Sequence, residues 1–168
     1  MKKLILMQAV PGAGKSYLAR EILSEYNSKE GFWPHLGGPV DEGNGSFSYP
    51  VIYPKHGIIL STDNFWMTSD GVYKFDASLL GVAHRWCQKL CAKAMFYDTP
   101  LIIVDNTNIK KKDVRVYLDL SLTFCYSVEV ARPKTDWATN AEECCRRCTH
   151  GVPLDTIKRM LAQMEDLL

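Results

Sequence analysis

Apolar residues along this chain fall into short runs separated by stretches in which they recur every third or fourth position. Lys2 to Gln8 is an apolar run that breaks at "QAVPGAGKS", after which Leu18, Ala19, Ile22 and Leu23 share one face of a helix spanning Lys15 to Tyr26. Strand, loop and helix are therefore predicted in that order. Two later runs, "GIILSTD" ending at Asp63 and "PLIIVDNTN" reaching Asp105, read as further strands, each with an acidic residue at its carboxyl end. Between Leu79 and Met95 the residues Leu79, Ala83, Trp86, Cys87, Leu90, Cys91, Ala94 and Met95 keep the same spacing, which predicts a strongly amphipathic helix lying on a sheet. "YSVEVA", Tyr126 to Ala131, reads as a fourth parallel strand, and Thr139 to Cys148 and Leu154 to Leu168 read as closing helices. In the last of these, Leu154, Ile157, Met160, Leu161, Met164 and Leu168 are in register. Such alternation predicts an α/β fold, a parallel sheet of about four to five strands with helices on both faces. Ligands then bind at the carboxyl edge of the strands, where the loop, Asp63 and Asp105 all emerge.

With 168 residues, 46% hydrophobic and 23% charged, the chain has the composition of one globular domain, 1–168. One stretch departs from the pattern: Gly31 to Gly57 holds six of the eleven glycines and four of the eight prolines, around a candidate short strand "FSYPVIY". It reads as an irregular insertion at about 27–56. No apolar run approaches the ~20 residues that cross a bilayer, and "MKKLILMQAV" reads as a first strand, not a signal peptide. A formal net charge of +1 excludes the broad basic field of a general duplex-DNA binder. Six irregularly spaced cysteines argue against a disulfide framework and for an intracellular, reducing compartment, cytoplasmic or nuclear.

"AVPGAGKS" matches the phosphate-binding pattern G-x-x-x-x-G-K-[ST] except that Ala9 replaces the opening glycine. In a P-loop, backbone N–H groups at a helix N-terminus cradle phosphates, the lysine reaches the β- and γ-phosphates, and the hydroxyl ligates Mg²⁺. Pro11, Gly12, Ala13, Gly14, Lys15, Ser16 and Tyr17 are the candidate nucleotide-binding residues, Lys15 also acting on the transferring phosphate. Gly12 and Gly14 permit conformations and close approaches that a Cβ would obstruct. Ala9, at the strand exit, adds only a methyl. Asp63 reads either as a capping residue after its strand or as a general base facing the γ-phosphate. Asp105 reads either as a metal aspartate or as part of a "DNTN" turn that bonds its own backbone.

The ordered blocks "AVPGAGKS", "ILSTDNFW", "GVYKFD", "AHRWCQKLCAKAM", "LIIVDNTNI", "VARPKTDW" and "RCTHGVPLDTIKRM" resemble the P-loop kinase domain of the NEDD4-binding protein 2-like proteins. That group is similar to the 5′-hydroxyl polynucleotide kinases of bacteriophage and of RNA and DNA repair, and to the N-terminal domain of cyclic-nucleotide phosphodiesterase. The resemblance implies a P-loop NTPase/kinase fold and ATP-dependent, Mg²⁺-dependent phosphorylation of a 5′-hydroxyl end of RNA or DNA. Lys15 and Ser16 would carry over as phosphate and magnesium residues, Asp63 as the general base, and Asp105 as the aspartate of the "DNTN" block. Arg147 matches the lid arginine of the family block, with Arg146 beside it as the alternative. Three positions depart: Trp66 stands where the phage-type enzymes clamp the acceptor with arginine, Cys148 replaces an asparagine, and Arg132 replaces a glutamate. Trp66 suggests an acceptor bound by stacking, as suits a single-stranded end.

Other signals are weaker. Cys145-x-x-Cys148 with His150 hints at a metal, but the thiols point apart on one helix and read as packing. Cys87 and Cys91 read as core. Lys110, Lys111 and Lys112 fit either acceptor phosphates or a solvated helix start, and His84 either a hydrogen-bonded structural histidine or an acceptor contact. Trp33, Phe47 and Tyr49 are candidates for a stacking lid in the insertion. Three functions compete: a polynucleotide 5′-hydroxyl kinase, a kinase of a nucleoside or small metabolite, and a nucleotide-binding interaction module without productive transfer.

Overall fold

A computed structural model describes residues 2–28, 56–68 and 71–168. Apart from its flanks at Asn27, Ser28 and His56, the expected insertion, with "FSYPVIY", Trp33, Phe47 and Tyr49, lies outside the described residues. Strands β1 (Lys3–Met7), β2 (Ile58–Leu60), β3 (Leu101–Val104) and β4 (Ser127–Ala131) alternate with helices α1 (Lys15–Asn27), α2 (Leu80–Phe96), α3 (Lys111–Thr123), α4 (Ala141–Arg147) and α5 (Leu154–Ala162). The strands form one parallel sheet in the order β2-β3-β1-β4, with Leu4 of β1 opposite both Ile102 and Val128.

Successive side chains of a strand point to opposite faces, and that alternation divides the core. Leu4 and Leu6 pack with Ile102, Val104 and the buried faces of α2 and α3, whereas Ile5 and Met7 pack with Ile103 and with Ala19 and Leu23 of α1. Helices therefore cover both faces of the sheet. Burial of each such large side chain contributes about 1.5–3 kcal/mol, so the central strands β1 and β3 carry the most. A third cluster, Ala9, Val10, Ala13, Ile109, Ala141, Cys144 and Ile157, seats α4 and α5 against the carboxyl edge.

The expected helices hold with three differences. α3 begins within the lysine run, of which only a helix start is legible in the sequence. Val114, Tyr117 and Ser121 form its narrow buried stripe, and the Lys110 amide donates to Asp113 to close its first turn. α4 begins later than predicted because Asn140 caps it, accepting from the Glu143 amide at 2.9 Å. The last helix stops at Ala162 instead of running to Leu168. The chain then turns so that the Glu165 amide bonds Ile109 and Leu167 is buried in the main core, which leaves Leu168 62% exposed.

The "DNTN" segment after β3 does not bond only itself. The Asn106 carboxamide accepts from the buried Thr62 amide at 2.8 Å, the Thr107 carbonyl accepts from the Ala9 amide at 3.2 Å, and Asn108, at φ 47°, donates to the Met7 carbonyl at 2.7 Å. It therefore stitches the ends of β1 and β2 to β3. Removing the Asn106 acceptor strands a buried N–H, so Asn106→Ala is expected to lower unfolding free energy by about 1–3 kcal/mol. Chemical denaturation measures the loss, and amide exchange at Thr62 is expected to quicken.

Candidate active site

β1 leaves the sheet at Met7 and turns through residues 8–14 into α1, whose first amides open toward the carboxyl edge. Gly12 and Gly14 take φ 80° and φ 95°, the left-handed region that side chains disfavour. At Gly12 a Cβ would stand 1.9 Å from the Cys144 carbonyl oxygen of α4. The close approach that demands glycine is thus made by the protein's own backbone. Ala13 is buried, Pro11 and Ser16 are half-buried, and the Tyr17 side chain faces solvent at 72% exposure, leaving its backbone amide as the part within the first helical turn. Lys15 reaches across to Asp105, Nζ to Oδ1 at 2.7 Å, and both side chains are nearly buried. Among the described residues nothing else bonds the Asp105 carboxylate, and the Ser16 hydroxyl makes no hydrogen bond. Two hard oxygens therefore sit at the sheet edge. They suit Mg²⁺, which takes one or two protein oxygens and keeps phosphate and water for the rest.

Asp63 lies in a 3₁₀ turn, Thr62–Trp66, directly after β2, and its amide donates to the Ser61 hydroxyl at 3.2 Å. Both readings of this residue meet a fact: Ser61 caps the turn, which leaves the Asp63 carboxylate available. That carboxylate is half exposed; Tyr73 donates to Oδ1 at 3.3 Å, and His150 Nε2 stands 3.7 Å from Oδ2. Burial and the neighbouring Asp63 charge raise the Tyr73 phenol above its ordinary range, so it remains a donor. His84 sits on the same edge with Nδ1 3.4 Å from the Thr62 hydroxyl, its proton affinity lowered by crowding against the protein and partly restored by Asp113 and Asp63. The hydrogen-bonded reading of His84 fits this placement.

Trp66 corrects an expectation. It is 4% exposed, packed edge-on against Phe65 at 4.9 Å and Phe75 at 5.1 Å, because the 3₁₀ turn directs its ring into the main core. It cannot present a face to an acceptor. Phe75, 55% exposed, is the aromatic that solvent meets there.

α4 and the segment before it form a lid against the loop. Trp137 Nε1 donates to the Gly12 carbonyl at 3.2 Å, and the Arg147 guanidinium lies 3.9 Å above the Trp137 ring. Glu143 accepts from Arg147 at 2.5 Å and from Arg146 at 2.6 and 2.8 Å, and these two guanidiniums hold its carboxyl down at about 2. Of the two arginines, Arg147 is the one joined through Trp137 to the loop. Arg132 donates to Gln8 at 2.6 Å and pairs with Asp166 at 3.2 Å, so it braces the end of β1 against the C-terminal segment. Cys144 and Cys145 donate to backbone carbonyls, Cys87 and Cys91 are buried, and all six cysteines are free. Among the described residues no group of three or more His, Cys, Asp or Glu side chains could hold a metal ion. Lys111 and Lys112 are exposed, with the Lys111 amide bound to Glu165 at 2.7 Å.

Tyr73, Trp137 and Glu143 were not legible as site residues. The blocks "GVYKFD" and "VARPKTDW" contain Tyr73 and Trp137, and Glu143 lies outside every such block; the contacts that matter join positions as far as 125 apart in the chain.

A four-stranded parallel sheet with the glycine loop leaving its inner strand β1, flanked by helices on both faces, is the architecture of a P-loop kinase fold. The chain is homologous to part of NEDD4-binding protein 2 of Homo sapiens, 34% identical over 158 residues, which is 94% of this chain and 7% of that protein. It is more weakly similar, 23% identical over 164 residues, to the 2′,3′-cyclic-nucleotide 3′-phosphodiesterase of Rattus norvegicus, of which it spans 31%. Among solved structures it resembles APE1195, with a TM-score of 0.54 at 15% identity over 98% of this chain and 79% of that one. It also resembles the Mycobacterium tuberculosis APS kinase CysC in complex with AMPPNP and APS, with a TM-score of 0.50 at 13% identity over 87% of this chain and 68% of that one. No family model matches the chain. It thus spans a small part of the curated relatives it matches, and the structural likenesses show the fold. Among the described residues no helix is long and apolar enough to cross a membrane.

Gly12→Ala should separate conformational strain from lid contact. Gly71 shares the φ of 80° but a Cβ there meets nothing within 4 Å. Gly12→Ala is expected to lower the melting temperature more than Gly71→Ala and to loosen α4, read as faster amide exchange at Cys144 to Arg147.

Proposed function

We propose that this chain is a phosphotransferase that moves the γ-phosphate of ATP, with Mg²⁺, onto the 5′-hydroxyl of a single-stranded RNA or DNA end. The observation that carries it is the meeting, on one sheet edge, of a glycine loop at a helix N-terminus, a buried Lys15–Asp105 pair and a half-exposed Asp63 carboxylate. Residues Pro11 to Tyr17 would take the phosphate chain through their amides, with Lys15 exchanging part of its bond to Asp105 for phosphate oxygens. Ser16 and Asp105 would hold Mg²⁺, which when bound neutralises charge on the β- and γ-phosphates. Asp63 would accept the proton of the acceptor hydroxyl, and Arg147, swinging from Glu143, would meet charge that develops in transfer. Six free cysteines support an intracellular site of action, cytoplasmic or nuclear.

Support comes from the resemblance of the ordered blocks and from the kinase fold. The APS kinase structure, which holds AMPPNP and APS, supports the nucleotide assignment and also favours a second reading, a small-molecule acceptor. A third reading, nucleotide binding without transfer, is favoured by the engagement of Arg147 with Glu143 and Trp137.

The test is transfer from γ-labelled ATP to a 5′-hydroxyl oligonucleotide, set beside nucleosides and small metabolites. Asp63→Ala is expected to lower kcat by roughly 10²–10⁴ with nucleotide affinity retained, and Lys15→Ala to weaken both. Label on nucleosides alone would replace the oligonucleotide reading with the second. Tight nucleotide binding with no labelled acceptor would replace it with the third.

A further inference from the structure

Both oxygens of the Asp63 carboxylate face partners from different parts of the fold. Tyr73, on the segment that follows the 3₁₀ turn, donates to Oδ1 at 3.3 Å, and His150, in the lid connection between α4 and α5, stands 3.7 Å from Oδ2. The two partners also touch each other, their ring centroids 4.8 Å apart and tilted by 39°. Tyr73 is fixed independently by the antiparallel bridge it makes with Met67. His150 is placed by the lid, whose α4 packs its Cys144 backbone against Gly12 and whose preceding Trp137 bonds the Gly12 carbonyl.

We propose that His150 is a lid-borne positioning residue: with Tyr73 it aims the Asp63 carboxylate, and it does so only when α4 is seated on the glycine loop. This rests on the transferase reading above and adds the device that sets its base. The His150 and Asp63 side chains are 40% and 50% exposed, and an exposed pair of this kind contributes little to folding, so its value lies in orientation. A carboxylate bonded at one oxygen alone can swing about its Cβ–Cγ bond. A second partner at ion-pair distance from the other oxygen restricts that freedom, and a reacting group misplaced by about an ångström costs a large factor in rate. In the step so prepared, the acceptor O–H bond breaks with its proton passing to Asp63. The acceptor oxygen bonds the γ-phosphorus, and the bond from that phosphorus to the bridging oxygen breaks, leaving ADP with the electron pair. Seating of α4 on the glycine loop and orientation of the base are thus one arrangement, present before any nucleotide binds.

Two measurements on the intact chain test this. In the nucleotide-free protein, Tyr73→Leu and Asp63→Asn are each expected to shift the His150 ring resonances, identified by their loss in His150→Gln; unmoved resonances overturn the proposal whatever the activity. In label transfer, His150→Ala is expected to lower kcat by roughly ten- to a hundredfold, with the KM for ATP nearly unchanged. His150→Gln, which returns an N–H donor near the Nε2 position, should recover much of that loss, and His150→Ala should cost nothing further in an Asp63→Ala background. An unaltered kcat in His150→Ala, or an equal extra loss without Asp63, overturns the positioning role. A wild type that binds nucleotide but labels no acceptor overturns the transferase reading instead, and His150 is then judged by the resonance shifts alone.

Discussion

The contact between Lys15 and Asp105 constrains the rest of the site. Two opposite charges at 2.7 Å, each on a side chain little exposed, are tolerable in a protein interior only as a pair. Their union fixes the first turn of α1 to the end of β3, and hence the glycine loop to the inner strands of the sheet. It also fixes the polarity of the edge, since the lysine can leave its partner only for another anion. Under the proposed function a phosphate chain at the loop would be such an anion, and a divalent cation at Asp105 would replace the lysine. Both exchanges would keep the sign of each partner, so under the proposed function the buried pair would be the resting state of the site.

Around that pair the "DNTN" residues carry strand geometry into site geometry. Asp105 holds Lys15, Asn106 holds the amide beside Asp63, Thr107 holds Ala9, and Asn108 holds Met7. Four consecutive residues thus set the loop and the candidate base relative to each other. The two aspartates are placed by one rigid segment, and neither depends on a flexible connection for its distance from the other.

The sheet, α1 and α2 were legible because each displays a period along the chain, two faces of alternating strand residues or an apolar stripe recurring every third or fourth position. α3 was hidden by its narrow stripe: after Val114 and Tyr117 the next buried position is a serine, Ser121, and charged residues lie in the turns between. The end of α5 was overread because Met164 and Leu168 continue the spacing, whereas burial of Leu167 and the bond from Glu165 to Ile109 reward leaving the helix. Trp66 failed as an acceptor platform for a related reason. Exposure is decided by the turn that follows β2, and nothing in "STDNFW" distinguishes a ring that points in from one that points out. The lid network was beyond reach, since the Trp137 indole and the Gly12 carbonyl are brought together only by the folded sheet.

The absence of the opening glycine from the loop has a physical account. In this loop left-handed backbone occurs at Gly12 and Gly14, and Ala9 has no positive φ to accommodate. Its amide is bonded to Thr107 and its methyl group packs with Val10, Ala13 and Ile109, 4% exposed. A glycine at position 9 would therefore leave a small gap in the cluster that seats α4 and α5, and would add freedom to the unfolded chain. The residue that departs from the phosphate-loop pattern lies where the loop meets α4 and α5, so its methyl stabilises that contact.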